Sequence, residues 1–314
     1  MYINSIGHYI PSTRVDNSHF EKVSGLSDEW IVSRTGIKTR SKAGKDENNH
    51  TMGLQAVENA LPKLPYSIED VDLIIHASYT PYDTVATLAH VVQQKYNIAN
   101  AKSLYISSAC SSFVNAVEIV QAFFVTNKAS KALIIASEHN TAYSDEMSEK
   151  SGHLWGDAAA AVFISKEKIN ENEAEIIDVF TRGLGHVGKG PDGVYLRPAI
   201  DGLVMPDGRD VFQNACGFMI EALETVLKNN GLTIEDLNYI IPHQANQRIV
   251  INIARQLKLN IDLFLGNIHE LGNTGCASTP IVLSQQWDKF KKGDLIGITV
   301  FGGGYSSGSL LVQM

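Results

Sequence analysis

Apolar and polar positions along this chain switch repeatedly between two periods. Residues 2–6 alternate as a half-buried strand does, and Pro11 closes that run. Ser27, followed by Asp28 and Glu29, starts a helix that Gly36 stops. Met52 to Leu61 reads as an amphipathic helix. Ser67-Ile68-Glu69-Asp70 then introduces a strand over Asp72–Ala77, and Val85 to Tyr96 is helical again. Ser103–Ile106 is a short strand and Phe113–Phe124 a helix, with apolar residues at Val114, Val117, Val120 and Phe123. Ala132–Ala136 and Ala158–Ile164 read as buried strands. Strands alternating with helices over the whole length predict an α/β protein whose sheets are sandwiched by helices.

The pattern also repeats. Ala56–Leu61 matches Ala222–Leu227, and Ser67–Ile75 matches Thr233–Ile241, at one shared offset of 166 residues. The same offset carries Cys110 onto Cys276 and Ser112 onto Ser278. A register shift intervenes, because Tyr96-Asn97-Ile98 aligns best with Leu259-Asn260-Ile261. Similarity at half the chain length means duplication rather than a solenoid.

One turn between a strand and a helix holds a candidate nucleophile. Ser107-Ser108-Ala109-Cys110-Ser111-Ser112 places Cys110 where backbone N–H groups and the positive end of a helix dipole converge, which favours thiolate over thiol. A small buried cysteine without chemistry fits that position too, so the argument passes to the second half. There Ile240-Ile241 runs into Pro242-His243-Gln244-Ala245-Asn246, setting His243 at a strand's end. Asn273 lies in a glycine-bracketed turn between Gly272 and Gly275. Ile298–Phe301 ends in Gly302-Gly303-Gly304, where bare backbone approaches a ligand closely. Loops after strand ends in such a protein meet at one face. Plainer readings stand beside these: a capping or core role for His243, a left-handed turn at Asn273 and a tight turn at the glycines.

Composition narrows the class. Hydrophobic residues make up 44% and charged residues 19% of 314, ordinary for a soluble protein with a sizeable core. A net charge of −8 without a basic run argues against general nucleic-acid binding. Three cysteines, Cys110, Cys216 and Cys276, give neither a disulfide framework nor zinc spacing. With no signal peptide and no membrane-length apolar run, a cytoplasmic protein without membrane insertion is expected.

At this point the residues resemble a family. Ser108-Ala109-Cys110-Ser111-Ser112, Pro242-His243-Gln244-Ala245-Asn246, Gly272-Asn273-Thr274 and Phe301-Gly302-Gly303-Gly304 look like the four signatures of β-ketoacyl-acyl-carrier-protein synthase III. Trp30, Ile31, Arg34, Thr35, Gly36, Ile37 and Arg40, and then Trp155-Gly156-Asp157, look like two further ones, in order across nearly the whole chain. The resemblance implies a thiolase-like fold of five αβαβα layers in a homodimer. Its halves would be 1–170, carrying the cysteine, and 171–314, carrying the histidine and asparagine. It also implies decarboxylative Claisen condensation. Cys110 would take an acyl group as a thioester, with the N–H groups of Cys110 and Gly303 as oxyanion hole. His243 and Asn273 would donate hydrogen bonds to a malonyl or β-ketoacyl donor's carbonyl. Coenzyme A or acyl-carrier-protein thioesters are the implied substrates, and no metal or redox cofactor is required. Trp30 and Arg34 would meet coenzyme A, with Gly208, Arg209 and Ser307 near the entrance or acyl pocket. Arg248, Arg255 and Lys258, beside Arg209, would form a basic patch for an acidic carrier protein, although a solvated face reads equally well.

Departures from the pattern bear on specificity. Tyr305-Ser306-Ser307-Gly308 replaces a Phe/Leu-Thr-Trp-Gly pattern, Arg209 stands where asparagine is common, and the Tyr79–Thr84 segment differs. A serine in place of a tryptophan opens space, so a longer or β-keto acyl partner is expected, as in ketosynthases that join two acyl chains to dialkylresorcinol-type precursors. The housekeeping initiator of fatty-acid synthesis and a Cys-dependent acyltransferase or hydrolase are the alternatives. The intact Cys110, His243 and Asn273 argue against a non-catalytic subunit. A degradative thiolase would need a second active-site cysteine in a motif that Cys276 does not occupy.

Overall fold

A computed structural model describes residues 1–314. β1 (Tyr2–Tyr9) leads into a side ribbon of β2 (Thr13–Asp16) and β3 (Thr39–Lys42), with α1 (Asn17–Ser24) and α2 (Asp28–Thr35) between them. α2 starts and stops where its residues dictate. Ser27 accepts the Trp30 N–H, and Gly36 at φ +77° ends the helix. α3 (Asn49–Ala60), β4 (Leu73–Ala77), α4 (Leu88–Lys95), β5 (Lys102–Ile106), α5 (Ser112–Val125), β6 (Lys131–His139) and β7 (Asp157–Ser165) complete the first half. α4 starts three residues later than the apolar pattern suggests, because Asp83 Oδ1 accepts the Val85 and Ala86 N–H groups and holds them in a turn.

The second half follows the same plan. β8 (Ala174–Gly183) precedes a ribbon of β9 (Tyr195–Arg197) and β10 (Gly202–Val204), then α6 (Gly208–Asn229), β11 (Tyr239–Pro242) and α7 (Gln247–Leu257). α8 (Ile268–Leu271), α9 (Ser278–Gln285), β12 (Leu295–Gly302) and β13 (Ser306–Gln313) finish the chain. The 166-residue offset is visible in the elements. One-turn helices at Ile68–Asp70 and Ile234–Asp236 precede β4 and β11, and Cys110 and Cys276 each stand two residues before a helix.

Nine strands join in the order β11-β12-β13-β8-β1-β7-β6-β4-β5. The wing β1-β7-β6-β4 corresponds to β8-β13-β12-β11, with β4 and β11 parallel to their neighbours β6 and β12. β5 has no complete counterpart, only a single bridge between Ile240 and Phe264. Within the sheet the wings join where β1 meets β8, and the ladder there pairs only Tyr2 with Glu175 and Ile3 with Ala174, a joint narrow enough to let them fold face to face.

α5 and α9 fill the space between the wings. Phe113, Val114 and Val117 of α5 and Ile281 and Val282 of α9 share one core with Ile75, Ile134 and Val162 of the first wing and Ile298, Val300 and Leu310 of the second. On the first wing's outer face, Met52 and Ala56 of α3 and Leu88 and Val92 of α4 cover Ile74, Leu133 and Ile135. On the second, Leu223 and Val226 of α6 cover Ile240 and Leu311. Strand alternation thus feeds two cores per wing and yields the five layers of the thiolase-like fold. No helix is long and apolar enough to cross a membrane.

Candidate active site

Cys110 stands between β5 and α5, after Ala109 at φ +50°. A left-handed conformation costs a non-glycine residue roughly 1–2 kcal/mol, and a web of serines offsets it. Ser111 Oγ donates to Ser108 O at 2.7 Å, and Ser112 Oγ to Ala109 O at 2.6 Å. Ser306 Oγ, reaching from β13, donates to Ser108 O at 3.1 Å and lies 2.7 Å from Ser111 Oγ. Gly302 presses its backbone against this turn. A Cβ there would sit 2.7 Å from Ser108 O and 3.0 Å from Cys110 N.

The electrostatics of Cys110 correct the expectation drawn from the helix end. Cys110 is 9% exposed, and burial pushes its thiol up to about 12, with the Glu138 charge acting in the same direction. The Tyr79 hydroxyl and the N–H groups of Gly303 and of Cys110 itself oppose that rise. α5 lies between the two wings, and burial disfavours the thiolate more than the N–H groups at the start of α5 favour it.

His243 follows β11 and is 3% exposed. Burial lowers its pKa to about 4, so it is neutral at physiological pH. Its Nδ1 lies 2.8 Å from Ser278 Oγ, the first residue of α9, and that oxygen accepts the Gln244 N–H at 3.4 Å. A Ser278 hydroxyl that donates to Nδ1 leaves the imidazole proton on Nε2, the tautomer in which that nitrogen is a donor. Asn273 is 5% exposed and is held by its backbone. Its N–H donates to Leu154 O at 2.8 Å, and its carbonyl accepts from Gly156 N at 2.9 Å and Asn140 Nδ2 at 3.2 Å. Oδ1 accepts the Gly275 N–H at 3.0 Å, which leaves Nδ2 without a protein partner. Trp155-Gly156 is therefore the strap that seats Asn273.

These groups share a cavity of about 750 Å³. Cys110, His243, Asn273 and Gly303 line it together with Trp30, Arg34, Gly208, Arg209, Arg248 and Arg255. Arg34 stacks its guanidinium 4.3 Å above the Trp30 ring. Lys258, in the left-handed position that ends α7, is exposed and does not line the cavity. Ser307 also lies outside it, which corrects the expectation of an enlarged pocket. In β13 the residues alternate, so Ser306 turns to the Cys110 turn and Ser307 to the opposite face, 1% exposed and paired between Phe301 and Arg182.

Residue types alone did not single out Lys150 at the mouth or the apolar wall formed by Phe212, Ala215 and Met219 of α6. The wall has a legible signal, since these positions recur three to four residues apart along one helix face. Asn140 carried none and Ser278 only its place in the repeat, because their partners are distant in sequence.

The family model of 3-oxoacyl-[acyl-carrier-protein] synthase III matches residues 105–185, and that of its C-terminal part matches residues 227–314. A β-ketoacyl-[acyl-carrier-protein] synthase III of Acholeplasma laidlawii is 36% identical, over 99% of this chain and 98% of its own length. The crystal structure of 3-oxoacyl-[acyl-carrier-protein] synthase III from Aquifex aeolicus superposes with a TM-score of 0.92 at 33% identity, covering 100% of this chain and 99% of that one. The priming β-ketosynthase of the R1128 polyketide pathway gives 0.89 at 25% identity, covering 99% and 95%. With its duplicated five-layer fold and these full-length matches, the chain belongs to the β-ketoacyl-acyl-carrier-protein synthase III family of condensing acyltransferases.

Proposed function

We propose that this protein is a housekeeping initiator of fatty-acid synthesis, loading a short acyl group from coenzyme A onto Cys110 and condensing it with a malonyl group on acyl carrier protein. The observation that carries the reading is the meeting in one cavity of a buried thiol with His243 and Asn273, whose Nε2 and Nδ2 have no protein partner. The Cys110 sulfur attacks the acyl thioester, the N–H groups of Cys110 and Gly303 hold the oxyanion, and the thiol of coenzyme A leaves with the proton. Malonyl thioester then binds with its carbonyl between His243 and Asn273. Loss of carbon dioxide leaves an enolate that these donors stabilise. The enolate carbon attacks the acyl carbonyl and the Cys110 sulfur departs, giving the β-keto product.

Two observations favour this over the chain-joining, dialkylresorcinol-type reading. Ser307 opens no space in the cavity, and the full-length relatives are named as β-ketoacyl synthases III. The two halves, 1–170 and 171–314, divide the work, the first bringing the nucleophile and the second the donors; the connection at 166–173 runs between β7 and β8. Arg34 and Trp30 suit the nucleotide of coenzyme A, and Gly208 and Arg209 its path inward. Arg248, Arg255 and Lys258 along exposed α7 suit an acidic carrier protein on a chain otherwise charged −8. A homodimer through β5 fits an edge strand left open beside Tyr82 and Val85, which are 65% and 83% exposed.

The test is a competition between acetyl- and octanoyl-coenzyme A, followed by malonyl-acyl-carrier-protein, read by intact-protein mass spectrometry. Acetyl loading at the higher efficiency, carbon dioxide release and acetoacetyl carrier protein are expected. Preferred octanoyl loading restores the chain-joining reading, and acyl release without carbon dioxide points to a hydrolase.

A further inference from the structure

Glu138, near the end of β6, takes no part in the condensation just described, yet it is completely buried beside the nucleophile. Its carboxylate accepts from Ser78 Oγ at 3.0 Å, from the N–H groups of Thr80 at 3.2 Å and Tyr79 at 3.3 Å, and from the Thr80 hydroxyl. The Cys276 thiol donates to it at 2.9 Å. The turn after β4 is thereby tied to the turn before α9, and Tyr79 is clamped with its hydroxyl against Cys110. That hydroxyl is buried, has no well-formed hydrogen bond and does not line the cavity. The main chain is shaped around it. Gly275 takes φ +59°, and a Cβ there would lie 2.6 Å from the Tyr79 hydroxyl oxygen and 2.9 Å from its ring. A buried donor left unpaired is unfavourable, and the polar group this hydroxyl is set against is the Cys110 sulfur.

We propose that Tyr79 is a further catalytic residue, its hydroxyl donating to the Cys110 sulfur whenever that sulfur carries charge, and that Glu138 is the positioning residue that aims it. This rests on Cys110 being the nucleophile. Charge reaches the sulfur when the thiol attacks and again when condensation expels it. The titratable groups around Cys110 are Tyr79 and Glu138, Cys276 behind them and His243 across the cavity. None is cationic near neutral pH, since burial holds His243 at about 4. The sulfur's charge therefore falls to neutral donors; with an acyl oxygen on the N–H groups of Cys110 and Gly303, and His243 and Asn273 facing the carbonyl of the malonyl donor, the Tyr79 hydroxyl is the side-chain donor set against the sulfur. Burial, and then the Cys110 and Glu138 charges, hold the phenol far above its ordinary range, so it keeps its proton.

The experiment is the pH dependence of Cys110 alkylation by iodoacetamide, read by peptide mass spectrometry in the parent, Tyr79→Phe, Glu138→Gln and the double variant. Tyr79→Phe removes one unpartnered oxygen, so its melting temperature should match the parent's. Its rate–pH curve should move up by about one unit, alkylation slowing about tenfold on the rising limb. If Glu138 aims the hydroxyl, Tyr79→Phe should shift the curve much less in the Glu138→Gln background; Thr80→Ala replaces Glu138→Gln if that variant does not fold. A Tyr79→Phe curve that overlays the parent's or moves down overturns the role of Tyr79, and an undiminished shift in the double variant overturns that of Glu138. A parent whose Cys216 or Cys276 alkylates before Cys110 overturns the nucleophile assignment instead.

Discussion

Ser278 Oγ lies 2.8 Å from His243 Nδ1, joining the first turn of α9 to the end of β11 across the heart of the second half. A hydroxyl that donates there favours the tautomer with its proton on Nε2. Ser278→Ala should lower malonyl decarboxylation about tenfold, the scale of one lost hydrogen bond, while acyl loading on Cys110 stays near the parent rate. Equal loss in both half-reactions would mean that Ser278 supports the fold rather than the tautomer. Because burial lowers His243 to about 4, its neutral form is present above that value and lost as pH falls through it. The His243 contribution to decarboxylation should therefore be flat from pH 8 to 6, measured as carbon dioxide release by parent and His243→Ala.

Asn273 should separate the half-reactions more sharply. Asn273→Ala removes one of two donors to the enolate, and such a loss costs about 10²–10³ in rate. Single-turnover loading with acetyl-coenzyme A should remain intact while β-keto product falls by that factor. Condensation at the parent rate would remove Asn273 from the site.

Gly302 offers a backbone test. Adding a methyl group 2.7 Å from Ser108 O and 3.0 Å from Cys110 N forces the nucleophile turn to shift, an overpacking cost of about 1–3 kcal/mol. Gly302→Ala should lose acyl loading and melting temperature together. An unaffected variant would show that the turn has room to yield.

Charge reversal addresses the carrier protein. Arg248→Glu with Arg255→Glu, both exposed on α7, should raise KM for malonyl-acyl-carrier-protein, most strongly at low salt, with kcat little changed. KM for the carrier protein unchanged by the pair would place its docking surface elsewhere.

Much of this molecule is written locally. The alternation of strand and helix, the Ser27 cap and Gly36 stop, and the 166-residue repeat are legible because backbone periodicity and capping act over a few residues and survive duplication. The strand-end positions of Cys110, His243 and Asn273 are legible for the same reason, since each sits where a periodic run breaks. The tertiary structure decided the rest. Whether Ser306 or Ser307 faces the nucleophile depends on the register of β13 between β12 and β8, and a single step reverses it. The Cys110 thiol is raised rather than lowered because two wings far apart in sequence close over α5, and desolvation belongs to everything that surrounds a group. Tyr79 and Glu138 come to the nucleophile by the same closure, from positions 31 residues before and 28 residues after Cys110.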